Sequence, residues 1–115
     1  MGILRWNEIE REQMNPLLAR QALHGVNMTV ARLEITKGAV VPLHRHVNEQ
    51  ITIMLEGKLR FVIDGVESIV AAGDVMVIPP DAPHLVEALE DSAVFDLFSP
   101  IRSDWLSGDD GYLRK

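Results

Sequence analysis

Between Gly38 and Gly57 the chain reads GAVVPLHRHVNEQITIMLEG, and between Gly73 and His84 it reads GDVMVIPPDAPH. Both stretches set a short apolar run between glycine or proline punctuation, the pattern of strands joined by tight turns. In the first, His44 and His46 stand two apart, so in extended backbone both side chains leave the same face. Gln50 keeps that parity. Glu49 does not, and points away unless a bulge turns it inward. In the second stretch His84 follows Pro79-Pro80-Asp81-Ala82-Pro83, at the start of a further strand. Two imidazoles from one segment, a third from another and an amide oxygen suit a divalent first-row metal with positions left open. Taken alone, an HxH pair beside Arg45 is equally a solvated loop; the regular glycine spacing around it favours a site. His24, just before Gly25, lacks that context and reads as a surface or turn residue.

The same punctuation extends in both directions. Met28–Ile35, Gln50–Leu55, Leu59–Ile63, Ser68–Ala71, Val75–Ile78, His84–Leu89 and Ala93–Phe98 read as strands at roughly ten-residue spacing, with no helical period between them. Asp64-Gly65 is a two-residue hairpin signal, because both central residues of a type I′ turn need positive φ. Six or seven short strands argue for an all-β sandwich or barrel. Residues 26–106 are assigned to that barrel, and 1–25 to an N-terminal extension holding a short helix broken near Asn15-Pro16 or an added edge strand. Residues 107–115, SGDDGYLRK, are expected to be a polar, mobile tail.

Composition narrows the partners. The 115 residues are 47% hydrophobic, with 17 acidic against 11 basic side chains, a formal charge of −6 and no cysteine. That length supports one core. The charge disfavours nucleic acid, and an aromatic content of 5% counts against a base-stacking platform. Without cysteine there are no disulfides, thiolate nucleophiles or thiolate metal sites, so any metal is held by imidazole, carboxylate or amide. No apolar stretch is long enough to span a bilayer, and Met1–Glu12 has no signal-peptide core, so a cytoplasmic protein is expected.

One strand carries further information. In Gln50–Leu55 the even residues Gln50, Thr52 and Met54 look like a cavity lining, whereas Ile51, Ile53 and Leu55 are uniformly apolar. Outward apolar side chains need cover. A second subunit would supply it in a homodimer; the alternative cover is the chain's own N-terminus.

The two opening stretches resemble the paired motifs of the cupins. The resemblance implies a double-stranded β-helix, or jelly-roll barrel, holding one divalent transition metal ion (zinc, nickel, manganese or iron) on His44, His46, Gln50 and His84. This chain has Gln50 where the pattern has glutamate, Asp81 where it has glycine, and Ala88 where asparagine is frequent. Three imidazoles and an amide leave the ion its full charge, favouring Lewis-acid work on anionic substrates over O2 chemistry. An inward Glu49 would reverse that.

The end of the barrel sharpens the choice. In FDLFSPIRSDWL, Asp96 and Phe98 share one strand face, and Arg102 follows. A strand end with a charged turn is the commoner meaning of such a string. Yet an aspartate between Phe95 and Leu97 is costly to bury unless it points into a polar cavity, and Arg102 can fork onto a carboxylate. Together with HRHVNEQ and PPDAPH, this string is similar to the KdgF-type cupins of pectin and alginate catabolism. The resemblance implies an enzyme converting 4,5-unsaturated uronate monosaccharides to linear 5-keto-4-deoxyuronate. Asp96 and Arg102 would then be catalytic, and Thr52, Met54 and Phe98 would shape the pocket for a small anionic sugar. The rival classes are a metal-dependent dioxygenase or other isomerase on the same barrel, and a non-catalytic sugar-binding cupin.

Overall fold

The computed structural model describes residues 2–115. Ten strands run in chain order: β1 (Glu12–Asn15), β2 (Leu18–His24), β3 (Thr29–Ile35), β4 (Val40–His44), β5 (Glu49–Glu56), β6 (Lys58–Ile63), β7 (Val66–Ala71), β8 (Val75–Ile78), β9 (His84–Ala88) and β10 (Ser92–Ser99). A one-turn helix, α1 (Ser103–Leu106), follows. The strands form two antiparallel sheets, ordered β1-β2-β3-β10-β5-β8 and β4-β9-β6-β7. This is the jelly-roll barrel read from the sequence.

Two elements extend that reading. Of the two alternatives for residues 1–25 the added strand holds: β1 and β2 form a hairpin turning at Pro16-Leu17, which widens the first sheet at its edge. β4 lies outside the strands expected from the sequence, because Pro42 interrupts its apolar run. Proline is tolerated there because β4 is an edge strand, where a missing N–H costs no ladder bond. The hairpin signal holds: Asp64 and Gly65 have φ of 49° and 78° between β6 and β7. Gly57 is required for a different reason. A Cβ there would collide with the backbone of Asp91 and Ser92.

Register decides which side chains face inward. Across the first sheet, Ala22, Ala31, Asp96, Thr52 and Met76 lie in one row, and His24, Thr29, Phe98, Gln50 and Ile78 in the next. In the second sheet His44 stands opposite His84, and Val41, Val86 and Phe61 form the adjoining row. Leu33, Ile35, Leu59, Phe61, Val86 and Val94 pack between the sheets as an apolar core. The polar rows thus cluster at one end of the barrel.

The outer face of the first sheet carries the apolar set expected on β5. Leu97, Ile51 and Val77 form one row, and Phe95, Ile53 and Val75 its neighbour. The N-terminal segment covers part of it: Trp6 stacks on Phe95 at 5.6 Å, held because Gln21 Nε2 donates to the Trp6 and Ile9 carbonyls. Val75 and Val77 stay 57% and 53% exposed.

The C-terminal residues do not leave the barrel as a mobile tail. Asp110 and Leu113 are buried, and Asn15 Nδ2 donates to the Leu113 and Lys115 carbonyls. Leu113 and Tyr112 join the apolar core, which fixes a segment whose composition is otherwise polar. No helix of the described residues is long and apolar enough to cross a membrane.

Candidate functional site

Three of the four histidines converge where β4 and β9 pair. Ring nitrogens of His44, His46 and His84 lie within 4.8 Å of one another. Each Nδ1 meets a backbone carbonyl: His44 that of Pro42 at 2.7 Å, His46 that of Asn48 at 3.0 Å, His84 that of Ala82 at 2.8 Å. A carbonyl only accepts, so each Nδ1 carries the proton and each Nε2 keeps its lone pair. Burial, opposed by those carbonyls, brings the pKa of His44 and of His46 down to about 4 and lowers that of His84. All three are therefore neutral at pH 7. His24, bonded to the Thr29 hydroxyl, takes no part in the group.

Gln50 turns toward the three histidines and Glu49 does not. Gln50 is buried, while Glu49 faces solvent. The orientation of the Gln50 amide follows from its neighbours. Thr52 Oγ1 donates to Asp96 Oδ1 at 2.6 Å, so it must accept from Gln50 Nε2 at 3.0 Å. That turns Gln50 Oε1 toward His46 Nε2, 3.1 Å away. With Nε2 unprotonated, the two lone pairs stand 3.1 Å apart, the spacing of neighbouring ligands on one ion. The residues therefore fit a divalent metal, which three imidazole Nε2 atoms and one amide oxygen would hold.

The loop between the histidines is pinned from outside. Asn48, itself buried, donates to the Pro100 and Ile101 carbonyls, tying it to the end of β10. Asp81 has φ of 62° and donates its N–H to the His46 carbonyl. This explains its place where cupins carry glycine, since aspartate is among the few residues that adopt the left-handed region at modest cost.

Asp96 is 6% exposed, and its pKa is raised to about 6, chiefly by burial, against the hydrogen bonds from Thr52 and Gln50. Arg102 is 1% exposed. Its guanidinium carbon lies 4.6 Å from the Phe98 ring and 4.4 Å from that of Trp105, a cation–π contact with each of two rings that meet edge-on at 5.1 Å. Asp104 takes its Nε and Nη2 in a fork, and Tyr112 Oη accepts a further bond from Nη2 at 2.6 Å. Arg102 thus stands at the mouth with one edge already engaged. Only Nη1 makes no hydrogen bond among the described residues.

Together these groups line a cavity of about 50 Å³, which includes His44, Gln50, Asp96, Phe98, Arg102 and Tyr112. His84 and Thr52 also line it, above a floor of core residues such as Leu33 and Val94. Met54, expected in the lining, is buried in the core and does not reach the cavity. Tyr112, Trp105 and Asp104 were not singled out as site residues in the sequence. The available signal was an apolar pair, Tyr112-Leu113, within an otherwise polar end.

Comparison with known proteins agrees with this geometry. The family model described as the cupin domain matches residues 31–98. The pectin degradation protein KdgF of Dickeya dadantii (strain 3937) is 34% identical over 76 residues, covering 64% of this chain and 69% of that one. The structure of KdgF from Halomonas sp. superposes with a TM-score of 0.84 at 29% identity, covering 91% of this chain and 98% of that chain. An RmlC-like cupin from Shewanella frigidimarina gives a TM-score of 0.85 at 27% identity, over 91% and 96%. With paired motifs, a jelly-roll and a three-histidine group that fits a metal-binding cupin, the chain belongs to the cupin family and is a small KdgF-like member of it.

Proposed function

We propose that this protein is a metal-dependent enzyme that opens 4,5-unsaturated uronate monosaccharides to the linear 5-keto-4-deoxyuronate. One observation carries the reading: a continuous hydrogen-bonded line, Gln50 to Thr52 to Asp96, joins the candidate metal ligands to a buried acid at one small chamber. Similarity to proteins named for pectin degradation supports the substrate class.

His44, His46, Gln50 and His84 would hold the ion, which supplies a Lewis acid for the oxygens of the sugar. In the reaction a proton leaves the C1 hydroxyl, the C1–O5 bond opens, and a proton is delivered to C4 as C5 becomes a ketone. Asp96 is assigned that transfer. Thr52 holds its Oδ1 by donation, so the proton is exchanged at Oδ2. A pKa near 6 suits a group that must both take and give a proton near neutrality. Phe98 packs against the ring, and Arg102 meets the carboxylate with Nη1 while Asp104 and the two aromatic faces keep it from rotating.

The direct test follows the loss of ultraviolet absorbance of unsaturated galacturonate. Metal-loaded protein should exceed the spontaneous rate by orders of magnitude. A rate equal to the spontaneous one, or full activity in Asp96→Asn, removes the assignment.

The same proposal includes a homodimer, in which Val75, Val77, Ile51 and Leu97 of two copies cover each other beside the Trp6 flap. Sedimentation should give twice the chain mass, and Val77→Lys should give the single mass. A wild-type monomer would refute it.

A further inference from the structure

The chamber is too small for the ligand class it is built to recognise. A volume of about 50 Å³ takes a few waters, whereas ligand pockets run to roughly 300 Å³ and more. Some part of the wall must move, and the two parts differ in how they are held. His44, His84, Gln50, Thr52, Asp96 and Phe98 sit on strands fixed by ladder partners. Trp105, Tyr112 and Leu113 belong to residues 103–115, whose backbone–backbone hydrogen bonds are all local, joining residues no more than five apart.

Side chains alone fasten that segment to the barrel. Arg20 reaches Asp110, Arg102 reaches Asp104 and Tyr112, Asn15 reaches the carbonyls of Leu113 and Lys115, and Arg114 bridges back to Glu12. Trp105 lies between the Arg20 and Arg102 guanidiniums, each 4.4 Å from its ring. Over the chamber the decisive contact is Tyr112. Its ring stacks on His44 with centroids 4.5 Å apart, and its hydroxyl accepts from Arg102. It is the one tyrosine of the chain.

The geometry assigns Tyr112 as a specificity-determining residue: it caps the chamber over His44 and Arg102, residues 103–115 lift to admit a ligand, and the cap confines the site to a single sugar ring. The ligand class, and with it the size argument for motion, rests on the proposed uronate reading; the Tyr112 cap and the local bonding of residues 103–115 do not. A second ring joined to the first would have to occupy the space of the Tyr112 phenol. Residues 103–115 would close over a monosaccharide with the phenol laid against its outer edge.

Two measurements on the full chain test this. Hydrogen exchange of the wild type reads the motion: amides of Leu106, Ser107, Leu113 and Arg114 should exchange at least about tenfold faster than those of β5 and β10. Equal protection overturns the lifting. Calorimetry of the zinc-loaded protein with galacturonate and with digalacturonate reads the cap. These saturated sugars cannot undergo the ring-opening, so failure of the reaction assignment leaves this readout intact. Wild type and Tyr112→Phe, which keeps the ring, should prefer the monomer by about tenfold or more, and Tyr112→Ala should lose most of that preference. A wild type that does not separate the two sugars, by holding both or neither, overturns the proposal. So does a folded Tyr112→Ala that separates them as well as the wild type.

Discussion

Two walls enclose the chamber, and the protein builds them by opposite means. The strand wall carries His44, His84, Gln50, Thr52 and Asp96 on backbone ladders, with His46 on the pinned loop beside them, and each donor is fixed again by a carbonyl or a neighbouring side chain. The C-terminal wall, residues 103–115, has no ladder and is held by arginine–aspartate pairs and stacked rings. The first arrangement suits groups whose geometry must not change while bonds are made. The second suits a cover, because its polar pairs break singly and re-form, and of the core it withdraws only Trp105, Leu113 and the half-buried Tyr112. The barrel side is built to hold chemistry fixed, and the C-terminal side to cover it.

The largest effect should come from the strand wall. Asp96→Asn keeps the shape and the Thr52 hydrogen bond but removes the acid, and turnover of unsaturated galacturonate should fall by about 10²–10⁴-fold. The same variant should be more stable than the wild type in metal-free protein. Asp96 is raised from 3.8 to about 6 by burial, roughly two units or about 3 kcal/mol. Because a raised carboxyl costs stability only once it ionises, the gain should be present at pH 8 and vanish below pH 4. Thermal melts at the two pH values check it; equal shifts would contradict a buried carboxylate.

Next comes the fastening of the C-terminal wall. Asp110→Ala leaves Arg20 buried with Glu12 as its remaining partner, and urea unfolding should show a loss of about 3 kcal/mol. If the two walls are separable, exchange in 103–115 should rise in this variant while the β5 and β10 amides keep their order of protection.

The histidines give an effect of opposite sign to Asp96. His44 and His46 are held at about 4 by burial against 6.5 for a free imidazole. The unfolded chain takes up those protons first, so metal-free stability should be full above pH 6.5 and fall as the pH drops toward 4. A flat profile across that window would place the rings in solvent. The smallest effect belongs to neither wall. Arg60 on the outer face of the second sheet pairs with Glu67 and Glu87, all partly exposed, and Arg60→Ala should cost no more than about 1 kcal/mol.

The contrast between the walls also explains what was legible in the sequence. The jelly-roll could be read because Gly38, Gly57, Asp64-Gly65 and Gly73 punctuate apolar runs at regular spacing. The inward parity of His44 and Gln50, and of Thr52 and Asp96, follows from the period of a strand. β4 escaped because Pro42 is permitted only by its edge position, which is a property of the finished sheet. The C-terminal wall escaped for a related reason. SGDDGYLRK reads as a solvated tail, and only its tertiary partners Arg20, Asn15 and Glu12, about a hundred residues away for Asn15 and Glu12, make it structure. Met54 escaped because parity fixes the face of a strand but not which side chains intervene: Val94 and Leu33 of its own row line the floor, while Met54 packs into the core.

The proposed chemistry turns on a metal centre of three imidazoles and an amide beside a buried acid. A crystal structure of the zinc-loaded protein with anomalous data at the metal edge tests it. One ion per chain is expected, within about 2.0–2.2 Å of Nε2 of His44, His46 and His84 and of Gln50 Oε1, with Asp96 outside its ligand shell. An ion bound through Glu49, or one held away from the three histidines, would contradict it.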